Sequence, residues 1–410
     1  MKKILKALIV LVLAWQVRRL QKRSDFKIVA VVGSYGKTST KAAIAQTLGT
    51  AYKVQWQEGN YNDLVSVPLV FFGIKMPKLF SPKAWLRVFW KIEQQLKEPY
   101  PYDIVVLELG TDGPGQLVHF ARYLAIDVAV LTAIGPEHME FFKNVEDVAK
   151  EELSVGRFSE QFLANANLVD KMFIDLSPVT VLPYRVRFPK GAAVSPWALE
   201  FQGDTIKLSS QTMSEAQVYS LSSAYLVGKL LGMSASQLDA ALGQVGAVSG
   251  RMNLLRGKND SQIIDDTYNS SPEATRLALE TLYKYPATQR IALLGNMNEL
   301  GDKSPQYHTE AGALCDPKYV DLVVTLGVDA NEYLATAAEA NGCKVIRATN
   351  AEEAGKVIEP KLRKGTVVLA KGSQNGVFAE EAVKLLLANS HDAQKLVRQN
   401  SAWLRKKNKL

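Results

Sequence analysis

A chain of 410 residues, 47% of them apolar, is too long for one ordinary domain and rich enough for two or three packed cores, which excludes a disordered or fibrous polypeptide. Its two cysteines, Cys315 and Cys343, lack metal-ligand spacing, so neither a zinc site nor a disulfide framework is expected, and a reducing compartment is. The net charge of +8 sits at the ends: seven Lys or Arg in residues 1–24 and six in the last sixteen, with no acid in either, leave the middle at −5 and argue against a nucleic-acid groove.

From Ile4 to Val17 the chain is apolar apart from Lys6 and Gln16, with basic residues on both sides. That is short of the roughly 20 residues a spanning helix needs. A thin span, an in-plane anchor and a helix packed on the protein are all open. The segment resembles the charged and apolar regions of a signal peptide, but no small-residue cleavage site follows, and Arg18-Arg19-Leu20-Gln21-Lys22-Arg23 leads straight into a strand. The expectation is a retained membrane anchor over residues 1–24.

Val29-Ala30-Val31-Val32 then breaks into Gly33-Ser34-Tyr35-Gly36-Lys37-Thr38-Ser39-Thr40, read as strand, phosphate loop and helix. A tight turn between strand and helix aims several backbone N–H groups and the positive helix end at one anion. Gly33 and Gly36 allow close approach, Ser34, Tyr35 and Ser39 complete the loop, Lys37 reaches the terminal phosphates and Thr38 can ligate Mg²⁺. Val31 stands where the full pattern has glycine, so this is the shorter G-x-x-G-K-T form. A nucleotide site directly after the basic run places the anchor on the cytoplasmic face of the cell membrane, with the cytoplasm as the alternative.

Further on, Lys53 to Trp56 reads as a strand, residues 74–101 as a surface helix with loops, and Asp103 to Leu109 as a strand covered on both faces. Ligands of open α/β sheets lie beyond the carboxyl ends of the strands, so Glu108 is a candidate to hold Mg²⁺ opposite Thr38. Asp127 to Thr132 is another strand, running into Pro136-Glu137-His138, with a helix from about Asn144 to Phe158. Residues 165–212 give short strands and turns, and Ser214 to Leu231 and Ser236 to Val245 give helices. After Gly250-Arg251 the strand and helix alternation restarts and holds to about residue 387, a second doubly wound unit. Its strand ends carry Asp265 to Pro272, Gly295 to Gly301 and Lys371 to Gly376, a polar rim at one edge.

These motifs in this order resemble the Mur ligase family: the phosphate loop, Gly59-Asn60-Tyr61-Asn62, Glu108-Leu109-Gly110, His138-Met139-Glu140, Gly250-Arg251, Glu299-Leu300-Gly301 and Lys371-Gly372-Ser373, over about residues 27–388. The resemblance is strongest to the branch that adds D-Ala-D-Ala to a peptidoglycan precursor. It implies an α/β architecture, with a P-loop central ATPase domain over a mostly parallel sheet (residues 25–249), a Rossmann-like C-terminal domain (250–390) and a basic tail (391–410). It implies amide formation with ATP and Mg²⁺, through an acyl phosphate, between a carboxylate partner and an amino acid or dipeptide amine. Lys37 and the loop amides would bind phosphate, Thr38 and Glu108 one Mg²⁺, and His138 a second. Asn269, Asn296, Arg251 and Lys371 would serve the nucleotide or the incoming groups, and Asn60, Asn62 and Ser373 the substrate.

Three departures stand out. Glu152 occupies the position of the family's carbamylated lysine, and as a carboxylate it can bring the same charge to a second metal. Asn296 replaces an aspartate, and the helix start at Ser214 to Ser220 lacks its usual His and Asn. The UDP-sugar domain ahead of the phosphate loop is replaced by the apolar segment, as in poly-γ-glutamate synthases, so a lipid-linked or polymeric carboxylate partner is expected. Folylpolyglutamate synthases lack that domain too. A non-catalytic nucleotide-binding scaffold is the reading from a different class.

Overall fold

The computed structural model describes residues 2–57, 59, 61–189, 195–210, 214–374 and 376–407. The first half builds one eight-stranded sheet from β1 (Lys27–Val32), β2 (Val54–Gln55), β3 (Ile104–Glu108), β4 (Ile126–Leu131), β5 (Ser159–Asn165), β6 (Leu182–Arg187), β7 (Trp197–Phe201) and β8 (Asp204–Leu208). Their order is β2-β3-β1-β4-β5-β6-β7-β8, parallel from β2 through β6 and antiparallel from β6 to β8. Alternation along each central strand divides the side chains between two cores. Ile28, Ala30, Val32, Val105 and Leu107 face one, and Val29, Val31, Ile104 and Val106 the other.

On the first face lie α1 (Lys2–Gln21), α3 (Val67–Phe71), α4 (Pro82–Gln95), α5 (Val145–Leu153) and the short α6 (Lys171–Asp175); on the second lie α2 (Lys37–Leu48), α7 (Glu215–Leu230) and α8 (Ala235–Leu242). The second sheet has the order β13-β12-β11-β14-β10-β9, built from β9 (Asn253–Gly257), β10 (Ser261–Asp266), β11 (Gln289–Gly295), β12 (Leu322–Leu326), β13 (Val345–Ala348) and β14 (Thr366–Lys371). It is parallel except for β9 at the edge. Helices α9 (Pro272–Lys284), α10 (Ser304–Ala313) and α11 (Ala335–Ala340) cover one face, α12 (Ala351–Ile358) and α13 (Ala379–Leu386) the other. The described chain closes with α14 (Ser401–Lys407).

The sequence pattern predicts no strand at β5 or β9, yet both exist. The expected anchor segment differs more: α1 buries Ile9, Leu13, Val17 and Leu20 in the core shared with α3 and α4. Gln16 and Arg19 bind Glu93 of α4 at 3.0 and 2.7 Å. One face of the segment is therefore satisfied by protein, and no helix among the described residues is long and apolar enough to cross a membrane. Cys315 and Cys343 are buried free thiols.

The tail from Ser390 folds back on the second unit. Arg398 reaches Glu380 at 2.7 Å and donates to the Thr267 and Tyr268 carbonyls, and Lys407 reaches Glu380 at 2.7 Å, all three side chains being buried.

Candidate active site

The carboxyl ends of the two sheets meet at a cleft of about 300 Å³. The phosphate loop enters it because β1 ends between β3 and β4 and the chain must turn at once into α2. Gly33 and Gly36 have φ of +124° and +83°. A Cβ on Gly33 would also lie 2.4 Å from Thr132 Oγ1, so glycine is required there by both conformation and space. Gly36 starts α2 in the left-handed region with no side-chain cap, which leaves the first amides of the helix available to an anion. Thr132 Oγ1 donates to Tyr35 O at 2.6 Å and Ser34 N to Ala133 O at 2.9 Å, fixing the loop on the neighbouring strand.

Lys37 is buried and its ammonium donates to the carbonyls of Gly33 and Ser34 and pairs with Glu137 at 3.1 Å. Burial works to lower its pKa, but Glu137, Glu152 and Glu108 outweigh that and hold it above the ordinary lysine value. Glu152 is also buried, its Oε2 accepting from Gly33 N at 2.8 Å. Burial pushes its carboxyl up to about 7, against the pull of Lys37. Two carboxylates thus take donors that phosphate oxygens would otherwise take.

Thr38 Oγ1 donates to Glu108 Oε1 at 3.3 Å. Glu108 Oε2 is buried with no hydrogen-bond donor, although Lys41 Nζ lies 3.2 Å from it. A hydroxyl, an unsatisfied carboxylate oxygen and a surplus of acid over lysine fit a hard divalent cation beside a triphosphate. Arg251 comes from the junction between the units: its Nη2 donates to Thr38 Oγ1 at 3.3 Å, its guanidinium lies 4.1 Å from the Tyr268 ring centre, and its buried Nε has no acceptor.

His138 joins the units from the other side. Its Nδ1 lies 3.0 Å from Glu299 Oε2, and Met139 N donates to Glu299 O at 3.0 Å. His138 and Glu299 have φ of +50° and +66°, a strained backbone for residues with side chains, and the two loops hold each other in it.

Of the residues singled out from the sequence, Ser34, Tyr35, Gly36, Lys37 and Thr38 line the cleft with Asn62, Glu108, His138, Arg251 and Asn269. Gly33 forms the base of the loop, and Ser39 opens on a separate hollow with Gln217 and Val248. Lys371 is buried against Asp266 at 2.6 Å and Asn269 O at 3.0 Å, behind the cleft wall. Ser373 bridges Ser270 O and Asn298 N, and Asn296 accepts from Ala330 N at 2.8 Å. Asn60 lies outside the described residues. No group of three or more His, Cys, Asp or Glu stands at metal-binding geometry among the described residues. Glu137, Glu299 and Tyr268 enter the site without a role having been assigned to them from the sequence. Glu137 precedes the His138 motif and Glu299 opens the Glu299-Leu300-Gly301 motif, which was the available signal.

Two family models match the chain: the Mur ligase middle domain over residues 87–219, and the Mur ligase, glutamate ligase domain over residues 250–374. The chain is 26% identical over 380 residues to the UDP-N-acetylmuramoyl-tripeptide–D-alanyl-D-alanine ligase of Bacillus subtilis, covering 88% of this chain and 76% of that protein. Among solved structures it resembles the MurF ligase of Thermotoga maritima in complex with ADP, with TM-score 0.73 and 24% identity over 94% of this chain and 84% of the other. MurF from Acinetobacter baumannii gives TM-score 0.73 and 21% identity over 92% and 79%.

Proposed function

The chain belongs to the Mur ligase family, and from that premise we propose that it is an ATP-dependent, ADP-forming ligase joining a carboxylate to an amine in peptidoglycan precursor synthesis. The observation that carries this is the shared cleft, in which Lys37, Thr38 and Glu108 of one unit face Arg251, Asn269 and Glu299 of the other. A carboxylate is a poor electrophile at neutral pH and repels a phosphate, so both need cationic screening and alignment. ATP with Mg²⁺ supplies the phosphoryl group that activates the carboxylate as an acyl phosphate.

The chain's own groups do the rest. The loop amides and Lys37 grip the phosphates, and Lys37 must then exchange Glu137 for phosphate oxygen. Thr38 and Glu108 would hold the Mg²⁺. Arg251, stacked on Tyr268 and bound to Thr38, ties the second unit to the metal corner. Glu152 stands beside the loop, where its carboxylate serves in place of the family's carbamylated lysine. The clasp of His138 on Glu299 closes the cleft against water.

The acid and amine are taken from the relatives, named for a UDP-N-acetylmuramoyl-tripeptide and D-alanyl-D-alanine. Incubating the purified chain with Mg-ATP, that tripeptide and D-Ala-D-Ala, and weighing the product by mass spectrometry, is the test. Release of ADP that requires both acid and amine is expected. Nucleotide binding without turnover over panels of acids and amines would mark a scaffold. The basic residues of the first 24 positions support a place at the cytoplasmic face of the membrane, and a lipid- or polymer-linked acid is the second form of the carboxylate partner that this reading admits.

A further inference from the structure

We propose that the outer faces of α1 and α4 form a docking surface for an anionic lipid bilayer, on which the enzyme lies with both helices in the membrane plane. The proposal rests on the ligase reading only for its consequence, that a lipid-carried carboxylate would enter the cleft from that surface.

From Ala7 to Trp15 helix α1 is apolar around its whole circumference. Ile9, Leu13, Val17 and Leu20 turn into the core. Ile4, Leu8, Leu11 and Trp15, spaced four, three and four residues apart, make a stripe on the opposite side, with exposures of 66%, 54%, 57% and 53%. Helix α4 repeats the arrangement: Trp85, Val88 and Ile92 are buried, while Leu86 and Trp90 are 68% and 66% exposed. Arg19 and Gln16 of α1 bind Glu93 of α4, so the two strips adjoin along one seam. A single exposed leucine is ordinary, but six large apolar side chains on two locked helices form a patch of the kind that marks an interaction site.

The charge around the patch selects the partner. Arg18 and Lys22 continue the α1 stripe, and Lys83, Arg87 and Lys91 flank Leu86 and Trp90, all five exposed. The acid of α4, Glu93, is held by Arg19 at 2.7 Å. Apolar residues with tryptophans at the centre and Lys or Arg at the rim match the depth profile of an anionic bilayer interface, and the helices are too short in apolar length to span one. Lys6 projects on the core side of α1 and lines the active-site cleft with Asp63 and Gln116, so one helix carries the patch on its outer face and borders the cleft on its inner one.

The test is sedimentation of the full chain with vesicles of phosphatidylglycerol and phosphatidylcholine, against vesicles of phosphatidylcholine alone. Binding at least about tenfold stronger to the anionic vesicles, weakened by salt, is expected. A Leu11→Ser, Trp90→Ser double variant and a Lys83→Gln, Arg87→Gln, Lys91→Gln variant should each lose most of it, with melting temperature and turnover of soluble substrates unchanged. Equal, negligible sedimentation with both vesicle types overturns the proposal. So does a concentration-dependent dimer that the serine variant abolishes and anionic vesicles fail to dissociate, because a second copy would then cover the patch. Vesicle binding needs no turnover, so its failure leaves the ligase reading standing, and failure of turnover leaves the docking surface standing.

Discussion

At the scale of the residue, the site is a set of acids held close to Lys37 and Lys41. Glu152 is the informative member, because its carboxyl occupies the Gly33 amide and its pKa is pushed up to about 7 by burial. Glu152→Gln keeps an acceptor for that amide while removing the charge. We expect it to abolish amide formation while ADP still binds by calorimetry; retained activity would remove Glu152 from the mechanism. A second buried acid bears on stability. Asp265 accepts from Thr267 Oγ1 at 2.6 Å and Gly250 N at 3.1 Å, yet burial outweighs these bonds and sets its carboxyl to about 6. The folded state therefore holds this proton more tightly than the unfolded chain does. Its contribution is fully present below the unfolded value near 4 and is lost as pH rises through about 6, a change of up to about 2–3 kcal/mol. Melting temperature followed from pH 4.5 to 7 should show this slope, and Asp265→Asn should flatten it. Lys37, Thr38 and Glu108 were legible in the sequence because a local motif and a strand end announce them. The roles of Glu137 and Glu299 were not, because what makes these residues matter is a partner 100 or 161 residues away.

At the scale of the element, the parallel strands of both units were readable because strands buried on both faces are continuous apolar runs. β5 was hidden by Ser159-Glu160-Gln161 at its start, where the strand is still partly exposed, and only Phe162 to Asn165 is buried. β9 was hidden because it is an antiparallel edge strand with alternating exposure, and Asn253 and Arg256 break the apolar pattern. Helix α1 was legible as an apolar helix but not as a packed one, since the residues that receive it lie in α3 and α4. Its Lys6 offers a direct check. Lys6→Ala should raise KM for the carboxylate substrate several-fold with kcat little changed, as removal of a binding cation away from the reacting atoms does. An unchanged KM would place Lys6 outside the substrate path.

At the scale of the whole molecule, two sheets built on the same alternating logic are turned so that their carboxyl edges oppose each other, and the contact between His138 and Glu299 is the latch. Each latch residue pays in left-handed backbone for a place the other loop holds open. Glu299→Ala should release the latch. The expected result is a larger radius of gyration by small-angle scattering without ligand, recovered with Mg-ATP, together with a higher KM for both ligands. Unaltered scattering and kinetics would show that the units stay together by other contacts. That the second unit exists was plain from its repeated strand and helix periods. That it faces the first was not, because orientation is set by side chains far apart in sequence.

The segment after Ser390 carries a consequence for how the pocket is kept intact. Arg398 and Lys407 neutralise the buried Glu380, and Arg398 also grips the loop that presents Tyr268 to Arg251. The buttress of the nucleotide pocket is thus supplied from beyond the last strand of the second sheet. A chain cut between α13 and Arg398 can keep both sheets yet lack a finished pocket, so a proteolytic nick there would be felt at the phosphate end of the molecule.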